Sequence, residues 1–232
     1  MSNFNTLKNA LCLLIGALSL TCCTQPRPET PDDFTNLKAF ESELSEMCRQ
    51  HPEMRCSPSL SVAIAEGHVV SINIDGRGRA GQGVGLNQLP KSIYQFHHLA
   101  EFSLLSTGFD QIPDLRPFSN LTKVTIEYNI FKGAVHLKNL PLSIENLILS
   151  RDGITEVVVD DSLPHLSRVY LTQNRMGSRI NSTFCKLRAL EFLDLSSGCC
   201  TTLAQQVELE NAAKKVLCNK DVAVLAKGEY ID

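Results

Sequence analysis

The chain has 232 residues, 43% of them hydrophobic, which is enough apolar material for one folded body and too much for a chain disordered throughout. Its formal charge of −3 comes without any cluster of Lys and Arg, which argues against a nucleic-acid partner. Tryptophan is absent and aromatics make up only 6%, so a carbohydrate platform of stacked rings has little material.

At the N-terminus, Lys8 precedes an unbroken small or apolar run from Ala10 to Leu20, closed by Thr21-Cys22-Cys23 and the polar Thr24-Gln25-Pro26. The run is shorter than the about 20 apolar residues that span a bilayer, and it has the layout of an export signal. Its end resembles a bacterial lipobox, with Leu20 three positions before Cys23, although Cys22 stands where that motif prefers Gly, Ala or Ser. The resemblance implies a signal peptide over 1–22, lipidation of Cys23 (Cys22 being the alternative) and a linker over 23–31. The expected location is the cell surface or the periplasmic face of a membrane, held by lipid. A plain secretory signal cut nearby would instead release the chain, and both readings export it.

Export admits disulfides. With Cys12 and Cys22 removed and Cys23 lipidated, Cys48, Cys56, Cys185, Cys199, Cys200 and Cys218 remain, and none lies between Ser57 and Phe184. Bridges at both ends of an elongated body are the simplest account. The last four cysteines allow three connectivities, and Cys200 also fits a buried core thiol.

A first unit is expected over 32–68. Phe34, Leu37, Phe40, Leu44 and Met47 recur at helical spacing between Asp32 and Gln50, with Asp32, Asp33 and Thr35 as candidate N-caps. Alternating apolar residues on both sides of Glu66-Gly67 then predict a hairpin. Next come Gly76, Gly78 and Gly81, the G-x-G-x-x-G spacing of a dinucleotide loop. Such a loop must open a crossover helix, with an acidic residue about 20 positions on at the end of the next strand. Pro90 and the spacing Leu89-Pro90-x-x-Ile93 follow instead, so Gly76 to Gly85 are expected to be a loop between the first unit and what comes after. Arg77 and Arg79 would be exposed charges there.

The middle of the chain repeats. LAEFSLLST from Leu99, LTKVTIEYN from Leu121, IENLILSRD from Ile144, LSRVYLTQN from Leu166 and LEFLDLSSG from Leu190 share one pattern, with starts 22, 23, 22 and 24 residues apart. A degenerate copy, VVSINIDGR, begins at Val69. Two residues beyond the polar position come Phe109, Phe131, Ile154, Met176 and Cys200, and apolar residues at spacing three lead into every copy. The pattern resembles the leucine-rich repeat family, L-x-x-L-x-L-x-x-N, over Val69 to Gly198. The resemblance implies an α/β solenoid: about six repeats over 69–200, parallel strands on a concave face, an N-terminal helix and hairpin cap, and a helical C-terminal cap over 201–232. The first unit also resembles the N-terminal caps of plant-type leucine-rich repeat ectodomains, without their usual Trp. In the C-terminal cap, Thr201 or Thr202 is the candidate helix cap, Leu203, Val207, Val216 and Leu217 are the candidate buried positions, and Asp221 onward reads as a strand or tail.

In x-L-x-L-x the apolar residues point into the core and the x residues face outward. The polar position, filled by Asn129, Asp152 and Asn174, is suited to backbone groups that cannot reach water. Thr107 suits it poorly and Gly198 cannot serve. Among the outward positions Leu105, Glu127, Ile148, Arg168, Tyr170 and Phe192 form the candidate partner-binding patch, rich in the residue types that dominate interface energetics. His97-His98 are adjacent and His68, His136 and His165 are scattered, which does not match metal-ligand spacing. Neither a cofactor nor a catalytic set is expected, and the implied activity is protein binding, with membrane attachment through the lipid. Rival readings are a secreted eukaryotic-type receptor-like or inhibitor module, motivated by the sequons at Asn120 and Asn181, and an exported hydrolase.

Overall fold

The computed structural model describes residues 33–50, 58–76, 85–86, 88–176, 180–196, 203–218 and 221–226. The lipobox, the glycine segment 77–84, Cys56, Cys199 and Cys200 lie outside the described residues.

Helix α1 (Asp33–Arg49) buries Asp33, Phe40, Leu44 and Cys48. Phe34, expected on the buried stripe, is 62% exposed. The stripe begins one residue earlier, because the Asp33 carboxylate turns inward to accept the Val69 N–H at 2.6 Å, and the next residue is rotated by about 100°. Glu43 accepts the Ser92 N–H and hydroxyl, both at 3.1 Å, and Phe40 meets Phe96 edge-on at 5.9 Å. These contacts fasten α1 to the segment ahead of the repeats.

Strands β1 (Ser59–Ala65) and β2 (His68–Asp75) pair antiparallel around Glu66-Gly67. Both turn residues have left-handed φ, 53° and 83°, as a two-residue turn matching the twist of its strands demands. There follow β3 (Glu101–Leu105), β4 (Lys123–Glu127), β5 (Gly133–His136), β6 (Asn146–Ser150), β7 (Ile154–Val158), β8 (Arg168–Tyr170) and β9 (Phe192–Asp194). Helix α2 (Leu203–Val216) and β10 (Ala223–Leu225) end the described chain.

The main sheet runs β1-β2-β3-β4-β6-β8-β9-β10, and every pair after the first is parallel. Equivalent repeat positions face each other without slippage: Asn73, Ser103, Thr125, Ile148, Tyr170 and Asp194 form one row. The body is a parallel-strand β-solenoid of about four regular turns, carried by β3, β4, β6 and β8 and bracketed by β2 and β9. β10 extends the sheet beyond the last sequence repeat.

The expected α/β character is corrected: α-helix among the described residues is confined to the two ends, and the body is mostly β. Returns between strands use 3-10 helices (Lys91–Gln95, Leu137–Asn139, Ser182–Lys186) and a small second sheet in which β5 pairs β7. The returns carry Pro90, Pro113, Pro117, Pro141 and Pro164, each lacking a backbone donor, and such short, proline-punctuated segments cannot sustain α-helix.

The columns read from the sequence form the core. Phe102 and Leu104, Val124 and Ile126, and Leu147 and Leu149 are at most 1% exposed, and Phe109, Phe131, Ile154 and Met176 are buried behind them. The lead-in residues Ile93, Phe96, Phe118, Leu137, Leu163, Phe184 and Leu187 close the opposite side. In α2 the buried residues are Leu209 and Ala213, continued by Leu217. Val207, expected inside, is exposed, since it lies off that i, i+4, i+8 line. One glycine column has a steric reason: a Cβ on Gly108 would come within 2.5 Å of the Gly85 Cα, so the chain leaving the glycine segment passes directly over the turn after β3.

Candidate functional site

The surface begins with the turn after each strand. Ser106, Tyr128, Arg151 and Gln173, the residues just before the polar position, all have left-handed φ between 50° and 59°. That conformation costs a non-glycine residue on the order of 1 kcal/mol, so something must hold it. For the turns at Ser106, Tyr128 and Arg151 the polar residue of the next coil does. Asn129 Oδ1 accepts the N–H groups of Thr107, Gly108 and Phe109 and the Thr107 hydroxyl at 2.9–3.3 Å, while its Nδ2 donates to the Leu104 and Glu127 carbonyls. Asn174 Oδ1 accepts the Asp152 and Ile154 N–H groups, and its Nδ2 donates to the Leu149 and Leu171 carbonyls. Between them, Asp152 Oδ1 accepts the Asn129 N–H at 2.6 Å. The result is a ladder running from coil to coil, in which a side chain serves backbone groups that water cannot reach.

Asp152 departs from its neighbours. It is 1% exposed and its Oδ2 has no hydrogen-bond partner. Burial pushes its carboxyl up to about 8 against the pull of the Asn129 hydrogen bonds, with a smaller upward push from the Glu127 charge.

Above the ladder the outward rows carry the candidate patch. Ile148 and Tyr170 are direct partners on β6 and β8, Arg168 and Phe192 on β8 and β9, and the Tyr170 and Phe192 rings lie 5.2 Å apart. Arg168 is exposed and the other three are half-buried. Leu105 and Glu127 are partners on β3 and β4 in a different row, two positions along the strand, so the six expected residues fall into two groups. Ser150 and Thr172 share a hydroxyl hydrogen bond of 2.7 Å in that second row.

One component is absent from the sequence reading. The Arg151 guanidinium sits 4.9 Å from the centre of the Tyr128 ring, and Tyr128 and Ile130 are 41% and 55% exposed. This adds a cation and an aromatic to the rim beside the second row. Tyr128 and Arg151 occupy the same left-handed place in successive turns, which brings their side chains together.

Among the described residues Cys48, Cys185, Cys218, His68, His98 and His136 have partners. Cys185, on the 3-10 helix at Ser182–Lys186, is joined by a disulfide to Cys218 just beyond α2, which selects one pairing among the last four cysteines. Cys48 is disulfide-bonded as well. His68 stacks on His98 at 3.8 Å. His136 pairs with Asp160 at 2.7 Å; burial would raise that carboxyl, but the His136 hydrogen bond and charge, helped by Lys138, hold it below the usual range. Among the described residues no group of three His, Cys, Asp or Glu could hold a metal ion, and no helix is long and apolar enough to cross a membrane.

The chain matches no protein-family model, and comparison with curated proteins finds no match.

Proposed function

We propose that the chain is an exported leucine-rich repeat protein, lipid-anchored through Cys23, whose concave face binds another protein without catalysis. The observation carrying this reading is the unslipped parallel register, which stacks Ile148 on Tyr170 and Arg168 on Phe192 along one exposed sheet face. Large apolar groups, tyrosine and arginine held side by side on a rigid sheet are the composition of an interface centre. The repeat pattern L-x-x-L-x-L-x-x-N, with its polar residue turned into the ladder, supports the family assignment.

The secreted eukaryotic-type reading is weakened at Asn181. Its Nδ2 donates to the Glu156 carboxylate at 2.8 Å and the Val157 carbonyl at 2.9 Å, and its Oδ1 caps the following 3-10 turn. A glycan on that nitrogen would displace these bonds.

Two measurements test the proposal. Photo-crosslinking in the source cells, with the wild-type chain and with Arg168→Ala/Tyr170→Ala, should yield a protein adduct that the double variant loses; an unchanged adduct refutes the concave site. Metabolic palmitate labelling should disappear in Cys23→Ser, and retained label refutes the anchor.

A further inference from the structure

Asp152 lies in the ladder at the place of an asparagine. Asn129 and Asn174 each use the carbonyl oxygen to accept and the amide nitrogen to donate to backbone carbonyls, among them Leu104 and Leu149 on the preceding strand. Ile126 holds the position of Leu104 and Leu149 in the strand register. Asp152 keeps part of the accepting half, its Oδ1 taking the Asn129 N–H, while Oδ2 is buried and has no partner. An ionised carboxylate can only accept, so a buried oxygen at the donor place would stand against carbonyls with no proton between them. The unionised acid has the donor and acceptor set the place requires.

We propose that Asp152 is carried as the neutral carboxylic acid, its Oδ2 hydroxyl donating where the neighbouring asparagines donate, so that one proton locks the middle of the ladder. Glu127, at the end of β4, is the charged group that faces it, and it opposes a second negative charge. Across the other side stands neutral Asn174, and in its own turn the Arg151 guanidinium lies over the Tyr128 ring. Loss of the proton places a charge in the turn after β6. That turn carries the Arg151 rim and adjoins Ser150 and Thr172, so alkali loosens the centre of the exposed face before the ends. This stands apart from the identity of any partner.

The test uses the full chain, wild type and Asp152→Asn. At pH 7 the wild-type infrared spectrum should contain the carbonyl band of an unionised carboxylic acid, lost in the variant and lost on raising the pH. The wild-type folding equilibrium constant should fall about tenfold per pH unit relative to the variant between the ordinary carboxylate range and the pH at which the band vanishes. Hydrogen exchange of the Asn129 and Ile154 amides should quicken first. Absence of the band at pH 7, or parallel pH dependences in the two proteins, overturns the proposal. The spectrum of the wild type alone decides if the variant does not fold.

Discussion

The turns after β3, β4 and β6 are each held by a single buried side chain of the next coil, whereas the end of the solenoid is held by a covalent bond. Asn129 serves four donors and two carbonyls of its own and the preceding coil, so its effect is local and depends on the amide being both donor and acceptor. At the last repeat the equivalent residue is Gly198, which has no side chain to offer, and Cys185–Cys218 ties α2 to the final return instead. A buried amide stabilises by satisfying native backbone groups, and a disulfide acts mainly by restricting the unfolded chain. The solenoid thus uses local satisfaction where the repeat is regular and a long-range tie where it fails.

That contrast can be broken from either side. Asn129→Ala leaves several buried groups unsatisfied at about 1–3 kcal/mol each, so urea unfolding should show a loss of at least about 3 kcal/mol. Cys185→Ser/Cys218→Ser should cost about 2–4 kcal/mol, with hydrogen exchange rising around α2 and β10 and little around Asn129. The pH arm follows from Asp152. Its folded value lies above the unfolded value of about 3.9, so its contribution is complete below pH ~4 and is lost as pH rises toward about 8, at roughly 1.4 kcal/mol per unit at most. Asp152→Asn should flatten that slope while the disulfide double variant keeps it. Arg168→Ala/Tyr170→Ala should change stability by less than about 1 kcal/mol and cost a partner at least about 1 kcal/mol of affinity, measured by titration once the adduct is identified.

Sequence reasoning located the strands because alternation is local: Phe102 and Leu104, or Val124 and Ile126, announce their face without reference to anything distant. The hairpin turn at Glu66-Gly67 and the inward polar column are legible for the same reason. Helical spacing alone does not set the phase of a short stripe: Asp33 reaching Val69 turns Phe34 outward, and the buried line of Leu209, Ala213 and Leu217 leaves Val207 exposed. β5 and β7 were missed because Val135, Ile154 and Val157 read equally well as returning core residues. Asp221 onward reads as either strand or tail, since the pairing of β10 with β9 depends on a partner about 30 residues away. The Arg151–Tyr128 contact joins two coils and has no local pattern.

By itself the sequence determined the repeat, its period, the buried columns and which residue in each copy turns inward, since each depends on neighbours a few positions apart. The tertiary structure alone decided that the returns are 3-10 turns and short strands, that Cys185 joins Cys218, that the six patch residues form two groups, and that Asp152 Oδ2 stands without a partner. Those outcomes depend on what the next coil places against each side chain, and burial and pairing between coils cannot be read from one repeat.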